Sequence, residues 1–192
     1  MTAFTINFSP ITSISTDQFE QLCAANPDIK FERTSTGELV VMSPPGGETG
    51  KNNVEIAADF VIWNRRSKLG VVFDSSTCFR LPNGGERSPD VAWVEKSRWE
   101  ALTPEQQRKF PPICPDFVLE LRSPSDNLIL LQAKMQEYLR SGAKLGWLLN
   151  PEDNQAEIYR PGQAIEVLQS PGTLSGETIL PEFTLNLDWL WC

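Results

Sequence analysis

PDFVLELRSPSD, from Pro115 to Asp126, decides how this chain is read. Within it Phe117, Leu119 and Leu121 fall on one face of a strand and Val118, Glu120 and Arg122 on the other, because strand side chains alternate with period two. A carboxylate and a guanidinium therefore leave an apolar strand in the same direction. That is costly unless they face a metal, a phosphate or each other. An earlier echo, SPDVAWV from Ser88 to Val94, again opens a β-forming run with Pro-Asp and sets Asp90, Ala92 and Val94 on one face.

Downstream, Asn127 to Ser141 is amphipathic, with Leu128, Leu131, Met135, Tyr138 and Leu139 in one stripe and Gln132 and Lys134 on its flanks. SPSD reads as the start of this helix and Gly142 as its stop. LGWLLN, Leu145 to Asn150, is the nearly continuous apolar run of a strand buried on both faces. Strand, helix, strand over Phe117 to Asn150 is a βαβ unit, so its two strands should be parallel and its helix a right-handed crossover. PEDNQAEIYRPG and AIEVLQS follow as an edge hairpin, and LPEFTLNLDWLW as a final apolar anchor.

Upstream, Ser15-x-x-Gln18 predicts a capped helix to Cys23, and Ile29 to Met42 a hairpin around Ser-Thr-Gly. SPPGGETG reads as a loop, and the segment from Lys51 to Lys68 as a helix apolar on most sides and ended by Gly70. That helix carries Glu55 and a basic tip, Arg65, Arg66 and Lys68, a candidate nucleic-acid contact or ordinary helix-dipole compensation. Gly70 to Leu81 and Pro89 to Val94 read as a hairpin joined by PNGGER, and Thr103-x-x-Gln106 caps a short surface helix.

The 192 residues predict one domain: an N-terminal extension (1–49), a core (50–150) and a C-terminal hairpin and tail (151–192). There is no histidine, which removes Ser-His, Cys-His and His-metal chemistry and leaves oxygen ligands for a hard cation such as Mg²⁺ or Mn²⁺. The four cysteines form no C-x-x-C pair and no signal segment precedes them, so reduced thiols in a cytoplasm are expected. No apolar run approaches the roughly 20 residues that span a bilayer. A net charge of −8 argues against a protein that coats nucleic acid, though not against a local basic groove.

If the strands bearing Asp90 and Glu120 are neighbours, the two carboxylates can share one divalent cation, with Arg122 and Lys134 adding positive charge beside it. Phosphodiester hydrolysis needs such a set. The alternative is an internal salt bridge from Glu120 to Arg122 or Lys134, with Asp90 capping a turn.

SPDVAWV, PDFVLELRSPSD, LQAKMQEYL, SGAKLGWLLNP and AEIYRPG, taken with their spacing, resemble the Uma-two family of restriction-endonuclease-like proteins, within the PD-(D/E)XK nuclease superfamily. The likeness runs from about Ile14 to the C-terminal tail. It implies an α/β restriction-endonuclease-like core, a mixed β-sheet flanked by α-helices, here extended by an N-terminal helix and β-hairpin. It also implies a Mg²⁺-dependent endonuclease acting on DNA, with Mn²⁺ as a substitute and a homodimer as the plausible acting unit. By this resemblance Asp90 and Glu120 are metal ligands and Glu55 the auxiliary helix carboxylate. Arg122 stands where the motif lysine is expected, and an arginine, with a pKa above about 12, cannot serve as a general base. Lys134, one element downstream, is then the favoured replacement. The departure at Arg122 leaves two other readings: a catalytically weak relative that binds nucleic acid or a protein partner, and a charged cluster that only specifies the fold.

Overall fold

The structure, a computed structural model, describes residues 3–8 and 11–191. In chain order the elements are β1 (Ala3–Ile6), α1 (Thr16–Ala25), β2 (Lys30–Arg33), β3 (Leu39–Met42), α2 (Gly47–Ser67), β4 (Gly70–Asp74), β5 (Phe79–Arg80) and β6 (Glu86–Arg87). There follow β7 (Val91–Glu95), α3 (Lys96–Glu100), α4 (Pro104–Arg108), β8 (Phe117–Leu121), α5 (Leu128–Arg140), β9 (Leu145–Asn150), β10 (Gln155–Tyr159), β11 (Glu166–Gln169), β12 (Thr173–Ser175) and β13 (Thr184–Asn186).

The main sheet runs β11-β10-β9-β8-β7-β4. Among the described residues only β8 and β9 pair in parallel, as the βαβ reading requires, and every residue of both is buried. Its two faces are covered differently. Ile56 and Phe60 of α2, with Leu174, Phe183 and Leu185 from the C-terminal segment, pack on the face of Phe117, Leu119 and Leu121. Met135 and Tyr138 of α5 pack on the face of Ala92, Val94, Val118 and Leu148. Glu120 and Asp90 have the parity of that second face, so the strand alternation that keeps α2's side wholly apolar delivers both carboxylates to α5.

A second sheet, β1-β3-β2-β6-β5, is built from β1, the β2–β3 hairpin and the short β5–β6 hairpin. The capping boxes predicted at Ser15 and Thr103 are both formed.

Four local expectations are corrected. The loop expected over SPPGGETG gives way after Gly46, where α2 begins four residues early, with Glu48 in the first turn facing the positive end of the helix dipole. Gly70 does not end that helix. Lys68 does, in the left-handed conformation at φ 56°, its N–H donating to the Asn64 carbonyl. The run from Gly70 to Leu81 is two strands in two sheets, because Asp74 accepts from Ser76 N and Oγ and turns the chain between them. The hairpin partner of β7 is therefore β4, while PNGGER turns β5 into β6. SPSD forms a turn before α5, whose N-cap is Asn127, accepting from Ile129 N.

Gly70 is needed instead for close approach: a Cβ there would lie 2.3 Å from the Val94 carbonyl oxygen and 2.4 Å from the Trp93 ring. Gly70→Ala should therefore cost about 1–3 kcal/mol of stability, the range for overpacking a filled site. A urea unfolding curve checks this, and an unchanged midpoint would contradict it.

Candidate active site

The register of β7 and β8 pairs Val91 with Leu119. Continued by one position, it sets Asp90 opposite Glu120 on the face that α5 covers. Asp90 is held at the mouth of this pair by the Leu121 N–H, which donates to its Oδ2 over 2.8 Å.

Helix spacing supplies the rest. Lys134, Glu137 and Tyr138 stand at i, i+3 and i+4, one face of α5, turned towards the two strands. Lys134 Nζ lies 2.8 Å from Glu120 Oε1 and 2.9 Å from Glu32 Oε1, and donates to the Ser88 carbonyl at 3.2 Å. Tyr138 donates its hydroxyl to the same Glu120 oxygen at 3.1 Å. Glu32 also accepts from Ser88 N at 2.9 Å and from Arg87 at 3.1 Å, and Arg87 bridges onward to Glu137 through Nε at 2.7 Å.

Sequence reasoning did not single out Glu32, Arg87 or Glu137, and read Tyr138 only as part of the apolar stripe of α5. A signal exists in hindsight: KFER and GER each place Glu beside Arg in a short strand. Antiparallel pairing of Arg33 with Glu86 puts Glu32 against Arg87, so opposite ion pairs emerge on the two faces of the β2–β6 ribbon. Arg33–Glu86 locks α1's entry through Ile14 and Thr16, whereas Glu32–Arg87 faces the site.

Charge in this cluster does not cancel. Glu32, Asp90, Glu120 and Glu137 are four buried carboxylates, and Arg87 and Lys134 are the two buried cations among them. Burial, reinforced by Asp90 and Glu32 and only partly opposed by Lys134, pushes Glu120 up to about 7. Burial raises Asp90 as well, against the help of the Leu121 N–H and Lys134. Glu32 goes the other way, to about 2, because Lys134 and Arg87 outweigh its desolvation. Burial works against the charge on Lys134, but Glu120 and Glu32 hold it protonated above the ordinary lysine range.

The cluster forms the floor of a cavity of about 560 Å³ between the N-terminal sheet and α5. Asp90, Glu120 and Lys134 line it together. Arg122 does not. Strand β8 ends at Leu121, and the Arg122 guanidinium reaches Asn150, the last residue of β9, and Asp153 just past it, both at 3.0 Å. Glu55 is exposed on α2, which covers the opposite face of the sheet. Arg65, Arg66 and Lys68 lie about 24 Å or more along that helix from Thr49, the α2 residue that lines the cavity.

A mixed sheet with a parallel central pair, helices on both faces, and an acidic pair with a lysine at the edge of that pair define an α/β protein of the restriction-endonuclease-like class. The sequence matches the Uma2 family, described as "Putative restriction endonuclease", over residues 16–188, and the chain belongs to that family. A crystal structure from Anabaena variabilis ATCC 29413, described as "a putative nuclease belonging to DUF820", has the same fold, with a TM-score of 0.79 at 20% identity over 93% of this chain and 97% of that one. No curated protein matches. Among the described residues no helix is long and apolar enough to cross a membrane.

Proposed function

We propose that the chain is a divalent-metal-dependent DNA endonuclease in which Asp90 and Glu120 bind Mg²⁺, or Mn²⁺ in its place, beside Lys134. The supporting observation is the charge excess: four buried carboxylates face two buried cations, and the more exposed Lys30 eases Glu32 and Asp90 only in part, leaving negative charge that a dication or protons would offset. A salt-bridge network serving stability alone would be expected to balance.

The donor set fits such an ion. Among the described residues no group of three or more His, Cys, Asp or Glu side chains is arranged to hold a metal. Mg²⁺ needs no such cage, since it is commonly held by one or two carboxylates with water and substrate phosphate completing six positions. Asp90 Oδ1 and Glu120 Oε2 make no hydrogen bond among the described residues, so each carboxylate has an oxygen to offer. When bound, the ion supplies Lewis acidity, polarising a phosphoryl oxygen and acidifying water.

The protein's own groups do the positioning. Lys134 spends its donors on Glu120, Glu32 and Ser88, so it fixes Glu120 and adds positive charge where negative charge develops. Held protonated, it cannot take a proton from water. Arg122 supports the end of β9, and Glu55, Arg65, Arg66 and Lys68 take no part at the reacting atoms in this reading.

Incubation of the purified protein with supercoiled plasmid and Mg²⁺ or Mn²⁺ tests it. Ion-dependent cleavage is expected, and no cleavage of the plasmid or of a single-stranded DNA with any divalent ion would overturn the reading.

The pKa shifts give a second test. Glu120 has a usual value of 4.5 and stands near 7 when folded, so between these values the folded state binds more protons than the unfolded one. Stability of the metal-free protein therefore falls as pH rises through that window. Glu32 acts oppositely, but only below 4.5, where protonation begins to remove its contribution. Added Mg²⁺ should accordingly raise the melting temperature more at pH 8 than at pH 5.5. At limiting Mg²⁺ the nicking rate should climb with pH and level off above 7. Thermal melts and a pH–rate profile read both, and an equal Mg²⁺ effect at the two pH values would contradict the assignment.

A further inference from the structure

The depth and lining of the cavity bear on which form of nucleic acid reaches the two carboxylates. Asp90, Glu120 and Lys134 are only 8%, 4% and 7% exposed, at the floor of a space whose opposite walls are β3 and the β2–β3 turn on one side and α5 on the other. A volume of about 560 Å³ lies within the roughly 300–1,000 Å³ of sites that engulf one small molecule. It is the size for one nucleotide and its phosphate. With the reacting groups so little exposed, a duplex would have to bring its second strand between the walls to set a backbone phosphate on them.

The lining chemistry points the same way. Val40 and Met42 on one wall and Leu130, Leu131 and Ala133 on the other are apolar, and Leu130 is 58% exposed at the rim. Apolar walls beside a phosphodiester site suit the face of a base, and base faces are available only where the strand is unpaired and unstacked. A duplex would present phosphates, sugars and groove edges, which ask for cations instead.

Those cations are scarce. Of the four that line the cavity, Arg87 and Lys134 are consumed by buried carboxylates. Lys30 on β2 and Arg140 at the end of α5 form no ion pair among the described residues. These two cations, Lys30 also acting at longer range on Glu32 and Asp90, stand on opposite walls and can hold the phosphates flanking one nucleotide. They do not make the basic track along which a duplex is usually bound, and the cluster at Arg65, Arg66 and Lys68 is too distant to extend it.

We propose that the substrate of this site is an unpaired strand, entering between the N-terminal sheet and α5 with its phosphates on Lys30 and Arg140 and a base against Leu130 and Met42. This rests on the endonuclease reading above and specifies the substrate class it takes.

The test uses one labelled DNA sequence in three forms: single-stranded, fully paired, and paired with a central unpaired bubble, each with the intact protein and Mn²⁺. Cleavage of the single strand and the bubble should exceed that of the duplex by about tenfold or more. Leu130→Glu, at an exposed position that the fold tolerates, should lower single-strand cleavage by at least about fivefold, as expected for loss of one base contact. Duplex cleavage as fast as single-strand cleavage, or single-strand cleavage unaffected by Leu130→Glu, would overturn the proposal. Fluorescence anisotropy of the same strands without metal separates the two readings. Binding of the single strand in preference to the duplex, with no cleavage of either, supports the unpaired-strand site while removing the nuclease reading. Equal binding of both removes the proposal.

Discussion

Asp90→Asn is expected to lower metal-dependent plasmid nicking by at least about a hundredfold while leaving the protein folded. Loss even of outer groups around a metal costs about 10–100-fold in affinity or activity, so removal of one of two charged ligands should exceed that. The fold should tolerate the change for a specific reason. Asparagine keeps the carbonyl oxygen that accepts the Leu121 N–H at 2.8 Å, so the register between β7 and β8 is preserved. It also removes one of the buried negative charges in excess. Without metal at pH 8 the variant should melt no lower than the parent protein, and above it if the charge excess is as costly as the raised Asp90 and Glu120 values imply. The Mg²⁺-induced rise in melting temperature should disappear. Nicking that survives Asp90→Asn would remove Asp90 from the site, and a variant that unfolds would mean that its role is structural.

The part of this site carried by strands was legible in the sequence because a two-residue period leaves few choices. Phe117, Leu119 and Leu121 had to share a face, which sent Glu120 to the other, and the same reasoning placed Asp90 with Ala92 and Val94. Lys134 was legible as a flank of an amphipathic stripe. The period misled at Arg122, since alternation holds only while the strand lasts and β8 ends one residue earlier. The N-terminal sheet was the hidden half. Glu32 and Arg87 are far apart in the chain and join the site only because β2 pairs with β6, a contact for which neither short strand carries a distinguishing apolar pattern. The break at Asp74 that makes β5 and β6 a separate hairpin was lost for the same reason, a turn of two hydrogen bonds inside a run that reads as continuous β.

That hidden half is where the largest loss of stability is expected. Arg87→Met should destabilise the protein by about 3–5 kcal/mol, the cost of breaking a buried ion pair by removing one partner. Arg87 is 8% exposed and its guanidinium is shared between Glu32 and Glu137, so its removal strips a cation from two carboxylates at once. Asn83 remains as a donor to Glu137, and Lys134 and Ser88 N remain on Glu32, so the site is weakened without being emptied of partners. With Arg87 gone, Glu32 loses one of the three charges that hold it near 2, Lys134 and Lys30 being the others, and its folded value should move upward. The destabilisation should then be smaller at pH 5 than at pH 8, because protonation of the stranded Glu32 relieves it at the lower pH. Adding Glu137→Leu to Arg87→Met should recover part of the loss by removing one stranded charge, a non-additivity that a double-mutant cycle measures directly. Additive losses in the cycle, or a destabilisation independent of pH, would show that Arg87 acts through packing of its aliphatic stem and not through the charges it joins.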